Sequence, residues 1–280
     1  MASLVIVGAG PIGAAVAHQA MAASVARRVV LIDDNADVAR GLALDIRQAG
    51  AIAGSSTAVE GSDDISAVVG APVVIVADGH DAAGEWHGDA GLAQVGRLRA
   101  LNPGAVIICA GAAQAGMVAS FVREQDGDRR RIVGSAPEAC RGALTALTCL
   151  ETGTAPSDVS LAVVGRPSRD LFVAWDGASV GGSRATDVLP AATLARLERQ
   201  MPLLWPPGPL TLAGAALRVA RLVLGQAPGW VCVALVPPAT ADSQPGVVAL
   251  PASHVAGMIQ PEWPVLAPRD RVRLDAILAV

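Results

Sequence analysis

The turn that follows the apolar run at residues 161–164 combines side chains that could hold a ligand. It reads Gly165-Arg166-Pro167-Ser168-Arg169, and a second apolar run comes next. Strand ends with glycine turns are where α/β proteins place their binding and catalytic groups. Arg166 and Arg169 would supply two positive charges to an anionic ligand there. The alternative is that both are solvated turn residues.

A glycine-rich stretch near the start of the chain carries a second possible site. Residues 4–10 read LVIVGAG, and the motif GAGPIG places Gly8, Gly10 and Gly13 in the order GxGxxG. An apolar strand precedes it, and residues 14–26 predict a helix. A second strand at 29–32 ends at Asp33, 20 residues after Gly13. This order of strand, glycines, helix, strand and acid is typical of a dinucleotide-binding unit, which a lone GxGxxG is not.

The residues of this motif have distinct physical roles. Gly8 permits a tight turn, Gly10 lets the backbone approach a pyrophosphate, and Gly13 lets the helix pack closely on the sheet. The helix that follows offers free N–H groups and a partial positive charge at its N-terminus. Pro11 and Ile12, between these glycines, are further candidate cofactor-binding residues. The alternative is a glycine-rich turn that binds nothing.

Two acidic residues at the end of the second strand predict which dinucleotide is bound. Asp33 would accept hydrogen bonds from the ribose hydroxyls of the adenosine. The negative charges of Asp33 and Asp34 would repel a 2′-phosphate. NAD is therefore favoured over NADP.

The remaining pattern predicts an α/β fold, namely a Rossmann-type doubly wound parallel sheet followed by an α+β substrate lobe with antiparallel strands. We expect an NAD-binding domain at residues 1–150 and a C-terminal domain at 151–280. Further predicted helices lie at 36–50, 91–101, 114–124, 191–200, 210–225 and 269–278, and further strands at 71–77, 105–110, 132–133, 158–164, 171–175, 178–180, 230–236 and 246–250.

Composition narrows the class of protein. The chain has 280 residues, of which 52% are hydrophobic, and a net charge of −4. Because it has no uninterrupted apolar run of about 18 residues, we predict no membrane helix and a cytoplasmic location. The triplet at 129–131 is more typical of a solvated loop than of a nucleic-acid site.

Missing residue types exclude several mechanisms. The chain has no tyrosine, and all 21 of its basic residues are arginine. A Tyr–Lys pair for carbonyl reduction and a Schiff-base lysine are therefore excluded. The cysteines Cys109, Cys140, Cys149 and Cys232 form no CxxC pair, so we predict core thiols and no metal site. The groups left for proton transfer are the carboxylates, a cysteine, and His18, His80, His87 and His254.

Four segments make the chain resemble the lactate/malate dehydrogenase family. They are VGAGPIG (7–13), VVLIDDN (29–35), GLALDIRQA (41–49) and RIVGSAPEACRGALTAL (131–147). The resemblance implies hydride transfer between NAD and a 2-hydroxy or 2-oxo acid. In that family an imidazole donates a proton to the carbonyl oxygen, and an aspartate orients the imidazole. One arginine clamps the substrate carboxylate, a second on a mobile loop polarises the carbonyl, and an asparagine assists.

Much of that catalytic set is missing when the resemblance is carried over. It assigns the clamping arginine to Arg141, the orienting acid to Glu138, and the asparagine to Ala112. Pro167 lies at or beside the place of the histidine, and proline cannot donate a proton. The mobile loop corresponds to residues 77–91, which contain no arginine. The alternative role for Arg141 is a helix arginine paired with Glu138 three residues earlier.

The shortened loop offers replacements for the missing acid. His80 or His87 would act as a proton donor if the loop folds inward, although loop histidines mostly face solvent. Asp78, Asp81, Glu85 and His87 suggest a metal site, but their density in a Gly/Ala loop is more typical of a flexible, polar segment.

Three functions stay open at this point. The first is an NAD-dependent oxidoreductase that acts on a different substrate with a rebuilt proton donor. The second is a dinucleotide-binding pseudoenzyme with a regulatory or scaffolding role, and the third is a non-redox enzyme that reuses the pocket. We expect a small-molecule substrate, anionic if the arginines bind it, and a homodimer with neither a nucleic-acid nor a membrane partner.

Overall fold

The computed structural model of the chain describes residues 3–81, 84–124, 128–238 and 246–279. The first half of the chain alternates strands and helices, as its apolar pattern predicts. Its strands are β1 (Ser3–Val7), β2 (Arg28–Ile32), β3 (Ala58–Ser62), β4 (Val73–Val76), β5 (Val106–Cys109) and β6 (Ile132–Gly134). Its helices are α1 (Pro11–Ala22), α2 (Ala36–Ile52), α3 (Gly88–Leu101), α4 (Ala115–Glu124) and α5 (Ala136–Thr152).

These strands run parallel in the order β3-β2-β1-β4-β5-β6. Alternate residues of β1 enter different cores: Leu4 and Ile6 pack on one face of the sheet, and Val5 and Val7 on the other. Burial of both faces explains why the strands are apolar without alternation. The strand order is that of a Rossmann fold, and the predicted doubly wound sheet is confirmed.

Two local differences from the predicted elements have simple causes. Helix α1 begins at Pro11 and not at residue 14, because the fixed φ of proline suits the first position of a helix. Strand β3 was not predicted. It reads AVEGS and buries only Val59, so its side chains carry almost no apolar signal.

The second half of the chain adds antiparallel strands and further helices. The strands are β7 (Val159–Ser160), β8 (Val163–Arg166), β9 (Asp170–Val173), β10 (Ser179–Val180), β11 (Ser183–Arg184), β12 (Val231–Leu235), β13 (Val248–Val255) and β14 (Met258–Pro261). The helices are α6 (Ala185–Val188), α7 (Ala191–Gln200), α8 (Pro209–Val223) and α9 (Pro268–Leu278). Short 3₁₀ turns lie at Ile65–Val68, Pro156–Asp158, Trp175–Gly177 and Met201–Leu204.

The large sheet continues from β6 through β12, β13, β8 and β9, and β14 pairs with β13. A small separate sheet has the order β11-β10-β7. The predicted strand at 158–164 is two strands, because Val159 pairs with Val180 in the small sheet and Val163 pairs with Val173 in the large one.

The predicted domain boundary near residue 150 falls at the end of α5, where Gly153 has a φ of 69°. Strands from both sides of that point share one sheet, so the division into two domains stays a prediction. In the described ranges, every helix is too short or too polar to cross a lipid bilayer.

Two glycines give a paired test of this packing. Gly61→Ala should lower the free energy of unfolding by about 1–3 kcal/mol, because the added Cβ would overlap the backbone of Ala39 in α2. Gly41→Ala, within α2, should raise it by about 0.5–1 kcal/mol, since its Cβ meets no atom within 4 Å. Urea unfolding followed by circular dichroism measures both, and equal shifts of the two midpoints would contradict the close approach of α2 to β3.

Candidate functional site

The turn between β1 and α1 brings the three motif glycines together at the carboxyl edge of the sheet. Gly8 has a φ of 108°, which side chains other than glycine rarely adopt. A Cβ on Gly8 would overlap the backbone of Asp78, and one on Gly13 would overlap the carbonyl oxygen of Gly8. Helix α1 therefore starts in close contact with the turn, as a phosphate-binding geometry requires.

The carboxylate of Asp78 lies at the N-terminus of α1. The N–H of Ile12 donates to its Oδ1 and Oδ2 at 3.0 and 3.1 Å, and the N–H of Gly13 donates to Oδ1 at 3.0 Å. The N–H of Gly10 donates to the Asp78 carbonyl oxygen at 2.9 Å. Asp78 is only 5% exposed. The first turn of α1 therefore already binds an anion, which the chain itself supplies.

Asp33 follows β2 and is also buried, with 5% of its surface exposed. The N–H of Ala9 donates to Oδ2 at 2.8 Å, and that of Asn35 donates to Oδ1 at 3.1 Å. The ring Nδ1 of His80 lies 2.6 Å from Oδ1. Burial alone would raise the pKa of Asp33, but these hydrogen bonds and the nearby imidazole hold it below its ordinary value. Asp34 is exposed. Together with Asp33, Gly79 and His80 it lines a cleft beside the glycine turn.

The loop 77–91 borders this cleft through its described residues 79–81 and 84–87. Residues 82 and 83 lie outside the described part. Asp78 and Glu85 form an isolated antiparallel bridge, and the N–H of Gly79 donates to the Gly84 carbonyl. The Glu85 carboxylate accepts the N–H groups of Ala112 and Ala113, at 3.0 and 2.6 Å. The loop is therefore attached at both ends of the cleft.

The loop histidines occupy different places. His80 contacts Asp33, and 31% of its side chain is exposed. His87 is the residue before α3 and is exposed. Neither of them lines the cavity beside Arg166. In the described ranges, no group of three or more His, Cys, Asp or Glu residues is arranged to hold a metal ion.

The turn 165–169 joins β8 and β9 as a tight hairpin in which Arg166 pairs with Asp170. Gly165 has a φ of 113°, and Ser168, with a φ of 65°, also lies in the left-handed region. Pro167 is buried and Arg169 is exposed. The hairpin thus directs Arg166, Pro167 and Ser168 toward a cavity and leaves Arg169 outside it.

This cavity has a volume of about 750 Å³. Its polar residues are Glu85, Arg166 and Ser168, and most of the remaining lining is apolar, including Trp205, Val247 and Ile277. Ala112 lies in its wall, where the resemblance expects an asparagine. The cavity therefore offers one guanidinium group and no imidazole among its described residues.

A buried carboxylate on α5, that of Glu138, pairs with two arginines. Glu138 is 2% exposed and accepts hydrogen bonds from Arg141 Nε at 2.8 Å and from the N–H of Cys232 at 2.8 Å. Arg218 Nε, from α8, lies 2.7 Å from its Oε1. Arg141 also lies over the ring of Trp230, 5.8 Å from the ring centroid. Arg141 thus has the partner that its place on the helix predicts.

The three candidate substrate arginines are not brought together. Arg141 lines a separate cavity of about 520 Å³ with Arg218 and Trp230. Arg166 lines the larger cavity, and its Nη2 lies 3.5 Å from the Ile277 carbonyl. Arg169 lines neither. The two cavities share no lining residue, so the two candidate anion-binding arginines Arg141 and Arg166 serve different spaces.

The buried thiols are unsuited to nucleophilic work. Burial raises the pKa of Cys109 and of Cys140 to about 12. Burial and the nearby Glu138 also raise the pKa of Cys232, whose sulfur accepts the N–H of Val163. These three thiols stay protonated at neutral pH and pack as small core side chains.

Sequence reasoning missed two roles that the structure shows. Asp78 was considered only as a metal ligand, although it follows β4 closely, much as Asp33 follows β2. Parallel strands of one sheet end at the same edge, so acids that follow the two strands on either side of β1 lie near the glycine turn, and that signal could have placed Asp78 in the cleft. No local pattern pointed to Arg218, which reaches Glu138 from a helix distant in the sequence.

Comparisons with known proteins find sequence relatives and solved structures that resemble this chain. No family model matches the chain. Malate dehydrogenases from Rhodopirellula baltica and Thermomicrobium roseum are each 27% identical to it, over 197 and 194 residues. The alignments cover 67% and 66% of this chain and 62% of each relative. The match thus spans under two thirds of these relatives' length.

Solved structures agree over nearly the whole chain. A lactate dehydrogenase from Cryptosporidium parvum, complexed with lactic acid and nicotinamide adenine dinucleotide, has a TM-score of 0.84 at 20% identity and covers 99% of this chain and 94% of that one. A malate dehydrogenase from Aeropyrum pernix has a TM-score of 0.84 at 17% identity, with 98% and 95% covered. The chain therefore has the fold of these enzymes, and its sequence similarity to the malate dehydrogenases supports its membership of the lactate/malate dehydrogenase family.

Proposed function

We propose that this chain is a divergent NAD-binding oxidoreductase that lacks the usual imidazole-based mechanism for 2-hydroxy acids and acts on a different substrate. One observation carries the proposal. The hairpin turn at the cavity presents Arg166, Pro167 and Ser168 where the resemblance expects a histidine. Neither a guanidinium group nor a proline ring transfers a proton near neutral pH.

The residues of the cleft fit a dinucleotide in most respects. Gly8, Gly10 and Gly13 form the close turn, and Asp33 Oδ1 would accept from ribose hydroxyls once the His80 ring, now 2.6 Å away, moves. The N–H groups of Ile12 and Gly13 would hold a phosphate once the Asp78 carboxylate withdraws. When bound, NAD supplies a nicotinamide that accepts or donates a hydride.

Two comparisons support this choice of cofactor and reaction class. One structural neighbour holds lactic acid and nicotinamide adenine dinucleotide, and the sequence relatives are malate dehydrogenases.

The cavity points to a small acid with an apolar portion. Arg166 provides the positive charge, and Trp205, Val247 and Ile277 provide apolar contacts. Glu85, the acidic member of the lining, is held on the wall of the cavity by the N–H groups of Ala112 and Ala113. Arg166 is therefore the group of the lining to which a substrate carboxylate would bind.

A second candidate is a pseudoenzyme that binds the dinucleotide without turnover. The state of Glu138 favours it. That carboxylate stands where the resemblance expects the acid that orients the histidine, yet two arginines and the Cys232 N–H already engage it. A replacement imidazole would have to compete with two charged partners.

We also propose that the chain forms a homodimer in the cytoplasm. Leu44 on α2, Leu150 on α5 and Leu210 on α8 are 53%, 82% and 70% exposed. Burial of such side chains against a second copy would remove apolar surface from water.

The absence of the imidazole has a measurable kinetic consequence. With NADH and oxaloacetate or pyruvate, turnover should be at least about 10²-fold slower than that of a malate or lactate dehydrogenase assayed beside it, because a positioned general acid contributes about 10²–10⁴-fold. NADH absorbance at 340 nm is the readout, after a fluorescence titration has established binding. Turnover within tenfold of the reference enzyme would contradict the proposal. A screen of other small carbonyl compounds separates the two candidates: one good substrate supports the oxidoreductase, and binding without turnover supports the pseudoenzyme.

Arg166 and Arg169 form a natural pair for testing anion binding. In a thermal-shift screen of small carboxylic acids with NADH present, Arg166→Gln should abolish the stabilisation given by the best ligand, since a charge-assisted hydrogen bond is lost. Arg169→Gln should leave it unchanged, because Arg169 lies outside the cavity. The same loss in both variants would argue for a general charge effect.

The oligomeric state tests the proposed dimer. Light scattering after size-exclusion chromatography should give the mass of two chains, and Leu150→Glu should shift it toward one chain, since a charge would be buried at the interface. A monomer at all concentrations of the unaltered protein would exclude the dimer.

A further inference from the structure

The described residues of the loop 77–91 meet the cleft at two places that a bound dinucleotide would also use, and a third contact fastens the far end of the loop. We propose that this loop is an intramolecular occupant of the cleft and that Asp78 competes with the pyrophosphate for the start of α1. The inference rests on the proposed dinucleotide site and describes how that site is regulated. Each of the three contacts supports it separately.

The first contact is between the Asp78 carboxylate and the start of α1, where a pyrophosphate would also bind. A helix N-terminus offers a small number of free N–H groups. Here those of Ile12 and Gly13 donate to the Asp78 carboxylate, which is almost wholly buried. A phosphate group bound at the same N–H groups would need the same space and would be repelled by the carboxylate. The two anions therefore exclude each other.

The second contact is at Asp33. One of its oxygens, Oδ2, accepts the N–H of Ala9 within the turn itself. The other, Oδ1, faces the His80 ring at 2.6 Å. Ribose hydroxyls would need Oδ1, so His80 must move for them to bind. The loop thus covers the nucleoside end of the cleft as well as the phosphate end.

The third contact fastens the far end of the loop. Glu85 accepts the N–H groups of Ala112 and Ala113 and packs against Gly111. These N–H groups lie in the segment between β5 and α4, at the border of the cavity beside Arg166. The backbone of Glu85 pairs with that of Asp78, but its carboxylate fastens the loop through Ala112 and Ala113 and not through the N–H groups of α1.

Two glycines of the turn leave the space that the loop occupies. A Cβ on Gly8 would overlap the Asp78 carbonyl oxygen, and one on Gly10 would overlap the Gly79 carbonyl oxygen. Both glycines are therefore required for the loop to close. The same absence of side chains would admit a pyrophosphate when the loop is open, so one turn suits two exclusive states.

The test compares NADH affinity in three variants and a control. Asp78→Asn, Asp78→Gly and Glu85→Gln should each lower the Kd for NADH, measured by fluorescence titration, because each weakens the closed state. A gain of about 5- to 150-fold is the usual size of such a coupling. Asp187→Asn removes an exposed carboxylate on α6 and should leave the Kd unchanged. The Glu85 carboxylate contacts Ala112 and Ala113 and not the Ile12 and Gly13 N–H groups. A lower Kd in Glu85→Gln would therefore result from loop opening and not from loss of a charge beside the phosphate.

A second measurement keeps the two proposals apart. Hydrogen exchange of the cofactor-free protein should show slow exchange at the Ile12 and Gly13 amides, and faster exchange there in Asp78→Gly. If the Kd values of all variants equal that of the unaltered protein, or if these amides exchange fast in it, the closed loop is refuted while NAD binding stands. If the amides respond as expected but no variant binds NADH at millimolar concentration, the dinucleotide proposal fails and the self-occupied cleft alone survives.

Discussion

The N–H groups at the start of α1 demand hydrogen-bond acceptors from outside the helix, and the cleft is built around this requirement. They have no partner within the helix, and their partial positive charge favours an anion. In this chain the buried Asp78 carboxylate meets that demand, with hydrogen bonds from Ile12 and Gly13. The loop after β4, the glycine turn and the Asp33–His80 pair are all arranged around this contact. The shape of the cleft therefore follows from how one helix end is neutralised.

Charged side chains are also balanced around α5 and the β8–β9 hairpin. Glu138 lies in the core and pairs with Arg141 and Arg218, which offsets part of the cost of burying its charge. Arg166 is the cation that faces the larger cavity among the residues described there. The arginines that pair with the buried carboxylate are thus not the arginine that faces the larger cavity, although the sequence presents both Arg141 and Arg166 as candidates for anion binding. A chain without lysine must assign all these roles to one residue type.

Much of the architecture was predictable because its signals are local. Buried parallel strands such as β1 and β4 read as apolar runs, and the spacing from Gly13 to Asp33 indicates the unit that joins them. β3 could not be predicted from the sequence because its side chains are mostly polar or exposed. The site was less predictable, since its contacts span long distances in sequence. Asp78 lies 66 residues from Ile12, and Cys232 lies 94 residues from Glu138. Nothing in the local pattern specifies which partner a polar side chain will find through the fold.

The continuity of the large sheet has a mechanical consequence. Strands β6 and β12 pair through Gly134 and Ala234, and one apolar core includes Leu4 from the first half together with Val233 and Leu274 from the second. Rocking the halves apart would break backbone hydrogen bonds and open a close-packed interior, both of which are costly. A hinge between two lobes is therefore a poor way to expose the slot. With the loop 77–91 as the proposed occupant of the cleft, a ligand enters when that loop moves. The rate of entry is then set by the loop and not by the rigid sheet beneath it.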